Sequence, residues 1–563
     1  MNKKTKWFLG IFFGLILLIL IAWKLVKNFK IEKFLEEKAQ TELNKLWPNR
    51  VVFDFDDLTF RFFSKNASIS NVRLTIFSES GADTLANLKI ELITANWASY
   101  KDFFTDDTIK VKALRLDKVF SDVPFDFEKL KPKASEDAGS STPFKIAVGD
   151  IILSNSELNF YKERGEQTGQ FTSAYELVIQ DVFYDSEKEF MPAGGGIGAV
   201  ELKTNAMDYY LPDGFYRVQI RNTIFRPLVG EAQINDVLLK PVYDWKEFAA
   251  KKEVLTSYIA LKVDSIQLKD ITIPKGTMKA AIAEEIRVYQ PSLSVLRDKN
   301  YILPDDRFVP IIIDQLEDME LPVFIRKVLV ENMFIEYIEK PEGKQSTGKI
   351  TFNDLTGTIR HFTNIADSVE ALDASLEILA SAKVFNKAVL SAEIVYGLQT
   401  ENGDFSATGS LEPMQLTAFN DFIGVVLPVN IQEGQNDGVY FTFSGTRYST
   451  TGRMRFRYSD LKINVDSEKI ESQFIRNSLA FLANVALPKF NPRPNGKFRV
   501  GQINFERDTR KSMFNYWSQS LVTGFKSTLG ASAPAEIEQN RNSNEEESFW
   551  SKLGFGKNKE KKN

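Results

Sequence analysis

A single histidine, His361, is all that this sequence offers to a Ser-His-Asp triad or an imidazole metal site. It lies in the strand-like run TGTIRHF (Thr356–Phe362), the setting of a surface or hydrogen-bonded side chain and not of a general base. Cysteine is absent, which removes thiolate nucleophiles, structural thiolate metal sites and disulfides. The serine-nucleophile pattern G-x-S-x-G does not occur. Gly196-Ile197-Gly198 would need a third glycine at 201 for a dinucleotide fingerprint, but Glu201 puts an anionic side chain where a pyrophosphate would approach. Gly343–Lys349 (GKQSTGK) has the spacing of a phosphate loop, yet Ile350 stands where the magnesium-holding Ser or Thr belongs, and a strand pattern follows in place of a helix N-terminus. The 75 Asp and Glu residues are scattered, mostly as the wet side of alternating strands, and no catalytic carboxylate pair can be assembled. The expectation is a protein without catalytic, cofactor or metal residues.

The elements behind this sparse chemistry are strands of one recurring form. In Ile146, Val148, Ile151 and Leu153, two apolar alternations are separated by a two-residue spacer, which reads as a bulge that returns the apolar side chains to one face. The same form fits Ala67, Ile69, Val72, Leu74; Ile109, Val111, Leu114, Leu116; and Leu177, Ile179, Val182, Tyr184. It recurs in Leu261, Val263, Ile266, Leu268; Val323, Ile325, Val328, Val330; and Phe498, Val500, Ile503, Phe505. The stretches Phe144–Tyr161 and Leu321–Ile338 share more: Asn155 matches Asn332, Leu158 matches Ile335, Phe160 matches Tyr337, and a polar turn and another such strand follow each. A duplicated β unit is the simplest reading.

Composition agrees with a large folded β protein. The chain has 563 residues, 43% of them hydrophobic, with 45 Phe and a net charge of −4, so no basic field draws it to nucleic acid. Trp7–Trp23 (WFLGIFFGLILLILIAW) is uncharged and covers about 25 Å as a helix, or about 30 Å once Lys24 snorkels and Leu25 and Val26 join. LIAWKLV offers no small-x-small cleavage site, so this is read as a membrane anchor; lysines flank it on both sides and leave its orientation open. Ile31, Phe34, Leu35, Ala39, Leu43 and Leu46 then recur at helical spacing up to Pro48, an amphipathic helix able to cap the end of a sheet.

The expected organisation is an anchor at 1–30, that helix at 31–48, a β segment at 49–131, a flexible loop at 132–143, repeated β units at 144–320 and 321–510, an amphipathic helix at 511–530, and a polar tail at 531–563. Helical or mixed pieces are expected at Val242–Lys252 and Asp367–Val384, and a helix at Gln473–Ala486. Met513, Phe514, Trp517, Leu521, Phe525 and Leu529 mark the late amphipathic helix. An acidic linker, Glu536–Glu547, leads to Phe549, Trp550, Leu553 and Phe555 among lysines, a candidate contact with a membrane or an envelope partner.

The stretch Gly403–Val465 resembles the C-terminal signature of the AsmA-like family, through Phe405, Gly409, Leu411, Met414, Leu416, Asn420, Gly434, Phe441, Phe443, Gly445, Gly452, Met454, Phe456, Tyr458, Asp460, Leu461 and Lys462. The anchor, the helix after it and the spaced strands resemble the same family, whose members are similar to the repeating β-groove bridges that include the chorein-type lipid transporters. The resemblance implies a mainly β fold: an N-terminal transmembrane helix, then an elongated, bent, repeating β-sheet groove with an apolar concave face and a few amphipathic helices at the ends. It implies a bacterial inner-membrane protein with its bulk in the periplasm, carrying phospholipid toward the outer membrane. Physics agrees in part, since a sheet apolar on one face of every strand and short of helices must close on itself or hold something apolar. The candidate lipid-contacting residues are Ile69, Val72 and Leu74 with the four apolar positions of each repeat at 109–116, 146–153, 261–268, 323–330 and 498–505. About 25 strands at ~4.8 Å would run on the order of 120 Å. The second reading is an envelope scaffold that affects outer-membrane protein assembly without carrying lipid.

Overall fold

The computed structural model describes residues 36–37, 39–41, 43–44, 47–61, 63–99, 108–130, 145–185, 196–272, 280–366, 375–427, 429–465, 487–530 and 535–539. Among these residues, twenty-three strands form one long bent sheet. They are β1 (Val51–Asp54), β2 (Asp57–Arg61), β3 (Asn66–Phe77), β4 (Thr84–Asn96), β5 (Thr108–Pro124), β6 (Lys145–Tyr161), β7 (Phe171–Asp185), β8 (Ala199–Tyr210), β9 (Tyr216–Arg226), β10 (Glu231–Pro241), β11 (Ser257–Lys269) and β12 (Ala281–Tyr289). Then come β13 (Ser292–Asp298), β14 (Val323–Lys340), β15 (Gly348–Thr363), β16 (Ser375–Val384), β17 (Ala388–Gly397), β18 (Phe405–Leu411), β19 (Met414–Gln415), β20 (Val429–Gly445), β21 (Ser449–Val465), β22 (Lys497–Glu506) and β23 (Glu536–Gln539). The α-helices with defined bounds are α1 (Trp245–Lys252), α2 (Ile312–Glu317), α3 (Asn420–Val426) and α4 (Met513–Leu529).

Most strands pair antiparallel with their chain neighbours. The chain leaves this meander twice: β6 runs parallel to β5, and β14 runs parallel to β12 and β13, which together fill one position beside β11. The strands that enter after these crossovers, β6 and β14, are the matched stretches of the sequence. Asn155 and Asn332 explain part of that match. Both adopt the left-handed backbone, with φ of 50° and 55°, and both sit at register shifts against the next strand, between Leu153 and Ser156 and between Val330 and Met333. Asparagine tolerates this conformation where a β-branched residue does not. Replacing Asn332 with Val is expected to cost ~1–2 kcal/mol in urea unfolding, and with Gly almost nothing, because only the first change forces a branched Cβ into the left-handed region.

The two-residue spacers are not bulges, which corrects the sequence reading. Register passes unshifted through six of the seven, because each paired neighbour steps in time; in the seventh, the pairing of β22 with β21 ends at Gly501, inside the spacer. Val111 and Leu114 of β5 stand beside Val148 and Ile151 of β6, which stand beside Val182 and Ile179 of β7. The spacers therefore line up across strands as creases. Left-handed residues mark them: Asn71 and Asp181 lie inside spacers, and His361 lies at the β15 end of another. Each crease restores the apolar face, so Ile146, Val148, Ile151 and Leu153 are all buried together.

Two separate cores result. One gathers residues from Leu43 to Val182, the other from Ile311 to Tyr516. At the first end, helical residues 39–41 and 43–44 lie against the sheet: the Gln40 carboxamide donates to Val51 O (2.7 Å) and accepts from Phe53 N (2.8 Å), and Trp47 Nε1 donates to Leu130 O (2.9 Å). A side-chain amide thus occupies backbone groups that a bare edge would expose. Ala39 and Leu43 face the core as the helical spacing predicts, while Ile31, Phe34, Leu35 and Leu46 lie outside the described residues.

Two further expectations are corrected. Ser375–Val384, expected as helical or mixed, is β16, because its pairing with β15 and β17 overrides its helix-forming composition. Glu536–Gln539, expected as linker, is β23, held to β22 and by ion pairs from Arg453 to Glu536 and from Arg455 to Glu538. Val242–Lys252 does contain α1, capped by Asp244 Oδ1, which accepts from Lys246 N and Glu247 N. Among the described residues no helix is long and apolar enough to cross a membrane; the span expected at Trp7–Trp23 lies outside them, as do the loop at 132–143, the helix at Gln473–Ala486 and the aromatic tail from Phe549.

Candidate functional site

Register places apolar residues of successive strands side by side, so rows run perpendicular to the strands. One row crosses nineteen strands without a polar side chain. It begins with Leu58, Ile69, Ile93, Leu116, Leu153 and Leu177 on β2–β7. It continues through Leu202, Phe225, Ala232, Leu268, Ile286 and Val328 on β8–β12 and β14. It finishes with Ile359, Ile378, Ile394, Ala407, Phe443, Gly452 and Ile503 on β15–β18 and β20–β22. A second row lies six or seven residues along the strands from the first: Val123, Phe160, Phe171, Tyr209, Val218 and Leu239, then Leu261, Leu293, Ile335, Phe352, Val384 and Ala388. Leu261 and Leu268 share a face because the spacer Asp264-Ser265 separates the two alternations. The rows together make one apolar track.

The track is covered at both ends and open between. Leu58 to Leu153 are buried in the first core, and Ile394, Ala407, Phe443 and Ile503 in the second. From Leu177 to Ile378 every residue of the first row is only half-buried, as are Phe160 to Phe352 of the second. That open stretch covers nine strands, and its eight spacings of ~4.8 Å give about 38 Å. One leaflet's tails, half of a ~30 Å hydrocarbon core, extend about 15 Å, so two tails fit end to end.

The residues singled out in the sequence divide accordingly. Ile69, Val72, Leu74, Ile109, Val111, Leu114, Leu116, Ile146, Val148, Ile151 and Leu153 lie in the first core. Phe498, Val500 and Ile503 are buried near α4, and Val263 and Val323 are buried within the open stretch. Leu261, Ile266, Leu268, Ile325, Val328, Val330 and Phe505 are half-buried. Leu202, Phe225, Leu239, Ile286, Leu293 and Ile359 belong to the track too. The spaced pattern missed them because their strands alternate in other frames; simple alternation marks them as strand residues, and only the pairing register joins them to the rows.

The crossover between β13 and β14 runs from the start of β11 to the second core. Arg307 Nη1 donates to Leu255 O (3.2 Å) just before β11; two residues on, Val309 N donates to Thr509 O (2.8 Å) beyond β22. Asp314 accepts from Arg447 Nε (2.8 Å), and Ile311, Ile313 and Leu316 are buried beside it. The crossover therefore ties the start of β11 to the loops after β20 and β22. Phe514 of α4 and Phe422 of α3 each bring a ring centroid to 6.0 Å from Tyr337 on the track face. The Arg510 guanidinium holds the Asp508 carboxyl well below the usual carboxylate range, with Lys511 assisting. Burial pushes the phenols of Tyr337, Tyr396 and Tyr516 up, and that of Tyr175 up to about 12, so these hydroxyls stay neutral among apolar neighbours.

The remaining sequence candidates have structural roles. His361 is at a crease, with φ of 58° and its Nδ1 3.1 Å from Ser375 O. The glycine-lysine run at 343–349 makes the β14–β15 turn, where Gly343 N donates to Asn300 Oδ1 and Lys344 Nζ to Val425 O. Among the described residues no three acidic or histidine side chains converge as a metal site. On the opposite face, residues flanking the first row form ion pairs with strand neighbours, including Arg226 with Glu201, Arg287 with Glu285 and Arg360 with Glu377. Compared with known proteins, the chain matches no family model and no curated protein.

Proposed function

We propose that the track holds the acyl chains of phospholipid, and that the chain, anchored by its N-terminal segment in a bacterial inner membrane, supports lipid movement between inner and outer membranes as its AsmA-like resemblance implies. One observation carries this reading: an unbroken apolar row across nineteen strands that is shut by protein at its two ends and half-open over the nine strands between. An apolar face of that length left to water is costly, at roughly 25 cal/mol per Å² of apolar surface, and invites association. Acyl chains laid along the rows remove that cost while the head groups stay at the rim. The wet face, with its paired charges, keeps the other side of the sheet in solvent.

Site-specific photocrosslinking of the full chain in its native membrane tests the proposal. Benzophenone side chains placed at Leu268 and Ile286 are expected to form phospholipid adducts detectable by mass spectrometry of the purified chain. The same group at Lys269, exposed at the end of β11, is expected to form few. Equal labelling from all three sites, or no lipid adduct from Leu268 and Ile286, would leave the track as an interior surface and favour the scaffold reading.

A further inference from the structure

The second apolar row borders a charged cluster at the end of β13. Leu293, Val295 and Arg297 alternate on one face and pair with Ile335, Tyr337 and Glu339 of β14, so Arg297 is on the track face just past its apolar residues. The crossover brings Arg307 to the same place: its Nη1 donates to Leu255 O, two residues before Ser257, which is the β11 partner of Arg297. Acidic groups nearby are occupied. Glu339 Oε1 is 2.5 Å from Lys299 Nζ, and its Oε2 accepts from the Tyr337 hydroxyl (2.8 Å). Asp298 pairs with Lys340 (3.1 Å) and accepts from Asn300, and Asp305 pairs with Arg510 (2.7 Å); Asp306 is exposed. That leaves two guanidiniums, both half-buried, with no ion pair within 4.0 Å among the described residues; Arg297 reaches the Tyr337 hydroxyl, while its Nε is buried without a hydrogen-bond partner. Burial and the charge of Arg297 both disfavour the protonated form of Arg307.

Two like charges partly withdrawn from water repel, and an anion shared between them reverses that energy. Guanidinium forks match a phosphate bidentately, which a lysine cannot do. We propose that Arg297 and Arg307 hold the anionic phosphate head group of an amphiphile whose tail lies along Leu261, Leu293 and Ile335, making the open stretch selective for anionic lipid. This rests on the reading of the track as a lipid surface. A purely structural pair would serve only to fasten the crossover, through the bond from Arg307 to Leu255.

The test uses the full-length chain in neutral detergent, incubated with vesicles of equimolar phosphatidylglycerol and phosphatidylcholine and re-isolated for lipid quantification. The wild type is expected to retain phosphatidylglycerol over phosphatidylcholine by about tenfold, corresponding to one charge-assisted contact. Arg297→Gln with Arg307→Gln is expected to bring that ratio near one with total lipid and melting temperature maintained, and Lys246→Gln on α1 to leave the ratio unchanged. An unaltered ratio in the double variant, or a lowered melting temperature with the preference intact, overturns the proposal in favour of the fastening role. If millimolar inorganic phosphate stabilises the wild type but not the double variant, and no lipid preference exists, the site takes the free ion and the lipid assignment is wrong. Equal retention of both lipids overturns the head-group site alone, whereas retention of neither lipid overturns the track reading as well.

Discussion

Ile151→Asp is expected to unfold the first core, whereas Val328→Asp is expected to leave the chain folded and strip lipid from the open stretch. The two residues occupy corresponding places in the spaced pattern, and each sits on the track face. Their surroundings differ. Ile151 is 0% exposed, packed between Leu114 of β5 and Ile179 of β7. A carboxylate there has no described cation to meet it, and an unpaired buried charge together with the lost packing costs at least ~4 kcal/mol, a large share of a domain's stability. Val328 is half-buried between Ile286 and Ile359 and belongs to neither core, although Ile359 borders the second. There the carboxylate keeps access to water, and the lost apolar contact costs roughly 1–2 kcal/mol. An acyl chain, however, must now pass a charge. Crosslinking from Leu268 is expected to fall by about tenfold, equivalent to ~1.4 kcal/mol. Circular dichroism melts of both variants, with lipid adducts from the second, decide the matter. If Val328→Asp melts as early as Ile151→Asp, the middle of the sheet is a closed core and the lipid proposal fails.

The same pair shows what the sequence could and could not convey. The spaced strands, the single apolar face and the kinship of β6 with β14 are local properties of side-chain period, and they are legible wherever the period is strong. The left-handed asparagines were visible as a match between Asn155 and Asn332, though their role needed the register to be seen. Coverage is different. Leu116 and Leu268 have the same neighbours in pattern, yet one is 1% exposed and the other half-buried, because what lies over a strand comes from segments far along the chain. The tie from Arg307 to Leu255 and the seating of Ile311 beside the C-terminal strands have no local signal. The misread pieces follow the same logic. Leu376–Lys383 (LEILASAK) is rich in helix formers but lies between two strands that supply its hydrogen bonds, and Glu536–Gln539 is polar because arginines of β21 receive its carboxylates. In both, tertiary partners outweighed propensity.

Gly501→Val is expected to lift α4 from the sheet and extend the open track toward β22. A Cβ on Gly501 would fall 2.2 Å from Gly524 O and 2.3 Å from Thr528 Oγ1, so the helix cannot keep its seat. That seat is polar as well as tight. Ser527 Oγ accepts from Gln502 N (2.9 Å), Arg499 Nε donates to Thr528 O (2.8 Å), and the Thr450 and Ser520 hydroxyls meet at 2.8 Å. Raising α4 breaks these buried bonds and separates Phe525 from Phe456, whose rings stand 5.1 Å apart. The combined loss is expected to reach ~3 kcal/mol or more, above the usual cost of overpacking because the obstruction is backbone and cannot rotate away. Beneath the helix lies the end of the first row, with Ile503 beside Gly452 and Met454 beside Gly501. A benzophenone at Ile503 is expected to be silent toward lipid in the wild type and to form adducts in Gly501→Val, with faster amide exchange in α4 than in β20. Faster exchange throughout the second core and no adduct at Ile503 would mean that α4 is part of the folding unit itself, and that the far end of the track never opens to lipid.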